Sequence, residues 1–177
     1  MKKDLGLIHI YCGDGKGKTT ASIGIAIRGI SCNYNVLFCQ FLKSGESSEI
    51  KILKKYPNCN VEIGEGLRGF VYDLSKEELQ KVKKNNDKTF DKIIELCNNG
   101  KCDILILDEI MSTINLELID YNKVLNFLKN KPTNIEVIMT GRDPKDELIE
   151  LADYVSEIKK IKHPFDKGVY ARNGIDM

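Results

Sequence analysis

Tryptophan is absent from this 177-residue chain, histidine occurs twice, as His9 and His163, and proline four times. Six cysteines stand at positions 12, 32, 39, 59, 97 and 102, yet no two have CxxC spacing. Few histidines and no close thiol pair argue against a structural zinc site and a disulfide framework, so the thiols read as free in a reducing cytoplasm. Cys12, Cys39 and Cys102 fall in or beside apolar runs, where a small thiol packs as a hydrophobe. The N-terminal stretch MKKDLGLIHIYCG has two lysines but no apolar segment long enough for a signal peptide or a membrane span. Charge of one sign is also missing, since 27 basic residues against 26 acidic ones leave a formal +1. No overall field gathers nucleic acid or an anionic membrane, and an anionic ligand must be caught locally.

Short apolar runs recur along the chain: 7–11, 35–42, 60–64, 102–109, 135–141 and 154–161. Several are almost continuously apolar, as in strands covered on both faces of a parallel sheet. Helical spacing lies between them. Residues 18–31 place Ile23, Ile27 and Ile30 at helical intervals, with Gly24 and Ala26 allowing close packing. Ser75 and Glu78 form a capping-box pattern that opens a helix to Cys97, with a break expected near Asn85 and Asn86. Residues 121–130 are stopped by Pro132, and 144–152 start at Pro144. The lysines of 83–88 read as a solvated face. At this length one domain is expected, spanning 1–177, with alternating strands and helices in a three-layer α/β/α sandwich around a mainly parallel sheet.

The stretch between the first strand and the first helix is GDGKGKTT, residues 13–20. Glycines let backbone N–H groups converge on one point, the helix start adds its own free N–H groups and dipole, and Lys18 adds a full charge. A polyphosphate fits that loop, with Thr19 placed for a Mg²⁺ ion that bridges phosphate oxygens. The usual GxxxxGK[ST] pattern ending at Lys18 would need glycine at position 12, where Cys12 stands, so Gly13 and Gly15 must carry the turn. A second acidic element is expected at a buried strand end, and ILILDE (104–109) supplies it, with Asp108 and Glu109 as candidate metal ligands. The ligand candidates are Gly13, Asp14, Gly15, Lys16, Gly17, Lys18, Thr19 and Thr20. Whether the bound triphosphate is hydrolysed, transferred or only sensed stays open at this point.

The residues around the loop resemble the ATP:corrinoid adenosyltransferases of the cobalamin pathway, P-loop type. The resemblance rests on GDGKGKTTA (13–21) with Arg28, QFLKSGE (40–46), LILDEI (105–110), TGRDPKDELIELADYVSEI (140–158) and KHPFDKGVYARNGIDM (162–177). It implies that Co(I) of a reduced corrinoid attacks the 5′ carbon of the ATP ribose and that the whole triphosphate leaves. The loop would then hold a leaving group, with the nucleotide reversed relative to kinases. Fixed positive charge from Lys16 and Lys18 there stabilises the transition state more than the ground state. By the same resemblance Lys18 and Glu109 are the catalytic candidates, Thr19, Asp108 and Glu109 hold Mg²⁺, and Arg28 and Arg142 join the ATP site. Arg28 stands roughly 15 Å along its helix from Lys18, which makes contact from a neighbouring subunit the route to a site. Arg142 falls at a strand's C-terminal edge, where ligands of open α/β sheets bind. His9 and His163 are assigned structural roles.

The better-known bacterial members of the family it resembles carry an aromatic-rich segment under the corrin. Here it corresponds to GEGLRGFVYD (64–73), with Leu67 in the aromatic position and Phe70 and Tyr72 as candidates to fill the space. The chain starts directly at its first strand, without the N-terminal helix of some members, so cover for Co(I) would fall to the 64–73 loop, the C-terminal tail or a partner. A homodimer, an electron-donating reductase, a cytoplasmic location and no nucleic-acid or membrane partner complete the expectation. Two other readings stand beside it: a phosphotransferase such as a nucleoside kinase, and a non-enzymatic ATP-binding switch module. Nucleoside diphosphate as product would mark the kinase, and a partner surface the switch.

Overall fold

The structure, a computed structural model, describes residues 4–43, 47–66 and 74–176. The apolar runs form β1 (Ile8–Cys12), β2 (Val36–Leu42), β3 (Cys59–Gly66), β4 (Ile104–Asp108), β5 (Glu136–Thr140) and β6 (Tyr154–Glu157). All pair in parallel, in the order β3-β2-β4-β5-β1-β6. The α/β sandwich expected from the alternation is the one observed.

Side-chain alternation along the strands builds two cores. On one face Val36, Phe38, Ile104, Ile106 and Ile138 meet Ala26 and Ile30 of α1 (Lys18–Ser31) and Ile50 and Leu53 of α2 (Ser48–Leu53). On the other, Leu37, Leu105, Leu107, Val137 and Met139 meet α3 (Lys76–Asn98), α4 (Ile110–Asn115), α5 (Tyr121–Asn130) and α6 (Asp146–Leu151). Each strand residue thus serves one face only, as the two-residue period of a pleated strand requires. The six cysteines are free thiols, five buried and Cys32 exposed. Among the described residues no helix is long and apolar enough to cross a membrane.

The break expected near Asn85 and Asn86 does not occur: α3 runs unbroken from its Ser75 capping box to Asn98. Asn86 is wholly buried, its Oδ1 accepting from the Glu65 N–H at 2.8 Å and its Nδ2 donating to the Leu118 carbonyl at 2.9 Å. Asn85 donates to Glu65 at 2.9 Å. These asparagines spend their polar groups on the end of β3 and the loop after α4, which overrides their weak helix propensity. Asn86→Leu leaves that N–H and carbonyl without partners, and an expected loss of about 2–3 kcal/mol follows. Urea denaturation monitored by circular dichroism measures it.

Two short helices, α2 and α4, and the 3-10 turn Pro164–Lys167 lie outside the elements expected from the sequence. The helix expected over 144–152 is shorter, with Lys145 rather than Pro144 at its entry.

Candidate functional site

β1 ends at Cys12, which still pairs with Glu157 of β6, so the turn begins one residue later than the generic loop pattern would have it. Gly13 takes it up at φ 100. A Cβ on Gly13 or Gly15 would lie 2.5 or 2.7 Å from the Ile158 carbonyl oxygen, which accepts from the Gly15 N–H at 2.8 Å. Only glycine lets the loop press this close to the chain leaving β6. Gly17, at φ 122, caps α1 without any side-chain hydrogen bond, and the first turn of α1 has no acidic residue. The helix therefore offers free N–H groups and its positive end to whatever enters.

That end opens on a cavity of ≈ 700 Å³. Asp14 to Thr20 form its floor, Glu109 and Arg142 stand at the strand-end wall, and Ile23 and Ile52 add an apolar flank. Lys18 is only 8% exposed and donates to the Gly15 carbonyl at 2.8 Å. Burial pulls its ammonium below the usual lysine range, and the Glu109 carboxylate pulls it part of the way back.

Asp108 ends β4 with its carboxylate wholly buried. Oδ1 accepts from Thr19 Oγ1 and from Thr140 Oγ1, both at 2.8 Å. Oδ2 accepts from Gln40 Nε2 and from Lys43 Nζ, both at 3.1 Å. β5 lies between β1 and β4 in the sheet, which puts Thr140 between the glycine loop and Asp108. Its Oγ1 also accepts from the Glu109 N–H at 3.0 Å. Glu109 adopts a left-handed φ of 61 and accepts from Ser112 Oγ at 2.9 Å. Such strain in a non-glycine residue is characteristic of functional positions.

A hydroxyl and a carboxylate 2.8 Å apart, with Glu109 on the cavity wall beside them, are hard oxygen donors of the kind Mg²⁺ takes. Among the described residues no cluster of three or more histidine, cysteine or carboxylate side chains could cage a metal by itself.

The C-terminal segment closes the far side of the cavity. His163 Nδ1 accepts from the Phe165 N–H and starts the 3-10 turn, while Phe165, Val169 and Tyr170 add apolar lining. Asp14 accepts from the Lys160 N–H at 2.9 Å, and Asp176 pairs with Lys16 and with Arg172. The Arg172 guanidinium, and after it the Lys16 ammonium, hold the Asp176 carboxyl well below the usual carboxylate range. Asp176 thus stands where an incoming phosphate would compete for Lys16. Asp176→Asn is expected to tighten ATP binding by about threefold, the scale of an exposed ion pair, as read by isothermal titration calorimetry.

Of the site residues read from the sequence, Asp14 to Thr20, Glu109 and Arg142 converge on the cavity, with Asp108 behind Thr19. Gly13 shapes the turn. Arg28 does not join them: it is exposed in the last turn of α1, away from the cavity of its own chain. Leu67, Phe70 and Tyr72 lie outside the described residues. Gln40, Lys43, Thr140 and the 163–176 wall were not singled out as site residues. The only signal for them was the run of resemblance through QFLKSGE, TGR and the closing segment.

A glycine loop between strand and helix, a buried lysine, and a threonine–aspartate pair at the carboxyl ends of an all-parallel sheet define a P-loop nucleotide-binding protein. The fold is shared with the solved cytoplasmic domain of EssC, at TM-score 0.52 and 13% identity over 97% of this chain, which spans about a third of that structure (36%). Residues 4–177 match the family described as ATP:corrinoid adenosyltransferase BtuR/CobO/CobP. A corrinoid adenosyltransferase from a Sinorhizobium species is 34% identical over 97% of this chain and 80% of its own length. The corrinoid adenosyltransferase of Escherichia coli K12 is 31% identical over 97% of this chain and 85% of its own. The chain belongs to the ATP:corrinoid adenosyltransferase family and is an enzyme of that class.

Proposed function

We propose that the protein transfers the 5′-deoxyadenosyl group of ATP to the Co(I) centre of a reduced corrinoid and releases inorganic triphosphate. The cobalt electron pair forms the Co–C bond, the C5′–O bond breaks, and its electron pair leaves on the triphosphate. The observation that carries this reading is the convergence of Lys16, Lys18 and the first turn of α1 on one end of the cavity, in a chain that belongs to this family throughout its length.

In this reading Gly13 to Thr20 cradle the triphosphate. Lys18, anchored on the Gly15 carbonyl, supplies charge where the departing oxygen becomes anionic, and a nearly buried, positioned cation there favours the transition state over the ground state. Thr19, Asp108 and Glu109 would hold Mg²⁺, which supplies further neutralisation of the phosphate oxygens when bound. Glu109, held by Ser112, keeps its carboxylate on the cavity wall. Arg142 is assigned to the nucleotide and Leu67, Phe70 and Tyr72 to the corrinoid. Arg28 is assigned to the ATP site of a second subunit in a homodimer. An external reductase must supply the electron that makes Co(I), and the free thiols suit a cytoplasmic enzyme acting as one domain.

The test is anaerobic incubation with ATP, Mg²⁺ and chemically reduced cobalamin. A light-sensitive alkyl-cobalt spectrum with stoichiometric triphosphate is the expected result. Bound ATP with unchanged corrinoid, and diphosphate only when a nucleoside is added, would replace the reading with phosphoryl transfer.

A further inference from the structure

The Asp108 carboxylate is fully buried, and among the described residues four side chains donate to it, of which only Lys43 carries charge. A buried carboxylate without a counter-charge is costly, so Lys43 supplies what the nucleotide-free site needs. Its ammonium lies 3.1 Å from Asp108 Oδ2 and 3.4 Å from Thr19 Oγ1, against the same two side chains that suit a divalent cation. Asp108 does not itself reach the cavity wall, whereas Thr19 and Lys43 do. Lys43 therefore covers the carboxylate from the cavity side.

The backbone is shaped for this. β2 slips register between Gln40 and Leu42, and Leu42 takes a left-handed φ of 60 immediately before Lys43. An irregularity of this kind re-aims a side chain at a sheet end. The Lys43 side chain is 37% exposed on a flexible stem, so it has room to leave.

We infer that Lys43 is a resident cation of the metal position: it holds the Asp108–Thr19 pair while the site is empty and yields that place to the divalent cation that arrives with the nucleotide. Two cations against one carboxylate oxygen repel strongly in a partly buried site, so both cannot hold it together. The displaced ammonium then faces the triphosphate, as a third lysine of that site after Lys16 and Lys18. The device keeps the carboxylate paired between turnovers and disfavours capture of free metal without ATP. The inference rests on the ATP-binding reading above.

Electron paramagnetic resonance of Mn²⁺ added to nucleotide-free protein tests it, with wild type, Lys43→Gln and Lys43→Met compared. Lys43→Gln keeps a donor for Asp108 without the charge, and Lys43→Met removes both, so folding of either one, checked by circular dichroism, suffices. The uncharged variant is expected to bind Mn²⁺ at least about tenfold more tightly than wild type, because the competing positive charge beside Asp108 is gone. A merely structural lysine would not yield a gain in metal affinity. Addition of Asp108→Asn should abolish that gain. At saturating Mg²⁺ the same variants should bind ATP several-fold more weakly. Equal Mn²⁺ affinity in variant and wild type overturns the inference, and unchanged ATP affinity overturns the hand-over to phosphate. Failure of the wild type to bind Mg²⁺·ATP at all would instead overturn the ATP-binding reading.

Discussion

Lys18→Ala is expected to lower adenosyl transfer by about 10²–10³-fold, the scale of losing one preorganised electrostatic contact to a developing anion. The ammonium is nearly buried, anchored at 2.8 Å on the Gly15 carbonyl, and sits at the positive end of α1. Its position is set by the fold, and in the proposed reaction the charge it would face grows as the C5′–O bond breaks. The assay is the anaerobic appearance of the alkyl-cobalt spectrum. ATP affinity measured in parallel separates the two contributions: a fall in rate at saturating ATP belongs to the transition state, and a fall in affinity to the ground state. Because the truncation also leaves the Gly15 carbonyl without its partner, thermal melting should accompany the kinetics. Lys18→Arg retains charge but replaces the compact ammonium on the Gly15 carbonyl by a planar fork, so little rescue is expected.

Asp108→Asn is expected to act on stability and turnover together. The amide can still accept from the Thr19 and Thr140 hydroxyls, but its NH₂ would then face the donating groups of Gln40 and Lys43. A donor-to-donor arrangement in a buried site costs about 2 kcal/mol, the desolvation of groups that no longer find partners. Urea denaturation reads that loss. Turnover should fall by roughly 10²-fold, as when one electrostatic contributor to a transition state is removed. The Mg²⁺ requirement measured by titration should rise with it. The two readouts distinguish a carboxylate that only packs from one that also serves the metal.

Much of the fold could be read from local pattern. The 18–31 and 121–130 helices match to the residue and each apolar run contains or overlaps its strand, the last overshooting β6 by four residues, because an apolar face repeated over several turns or a pleated run leaves a periodic trace. α2 and α4 span six residues each, too few for any period to stand out. The misread of Asn85 and Asn86 has the same origin. Weak helix formers were taken at their local value, whereas a buried bridge from Asn86 to Glu65 and Leu118 holds the helix straight through them.

The site divides along the same line. The glycine loop, Lys18, Thr19 and the Asp108–Glu109 strand end were legible because each is a short contiguous motif whose chemistry is independent of what lies opposite. Arg28 matches by position in sequence yet stands exposed and does not line the cavity of its own chain. Lys43 lies 65 residues from Asp108, and Thr140 lies 32 from it. Their convergence on one carboxylate depends on β5 being inserted between β1 and β4 and on the slip at the end of β2. The sequence by itself determined the class of fold, the phosphate loop and the family. Only the tertiary structure decided which side chains meet on the Asp108 carboxylate and which segment walls the cavity. Local periodicity and motif spacing carry no information about which strand ends become neighbours, and that is set by the order in which the sheet is assembled.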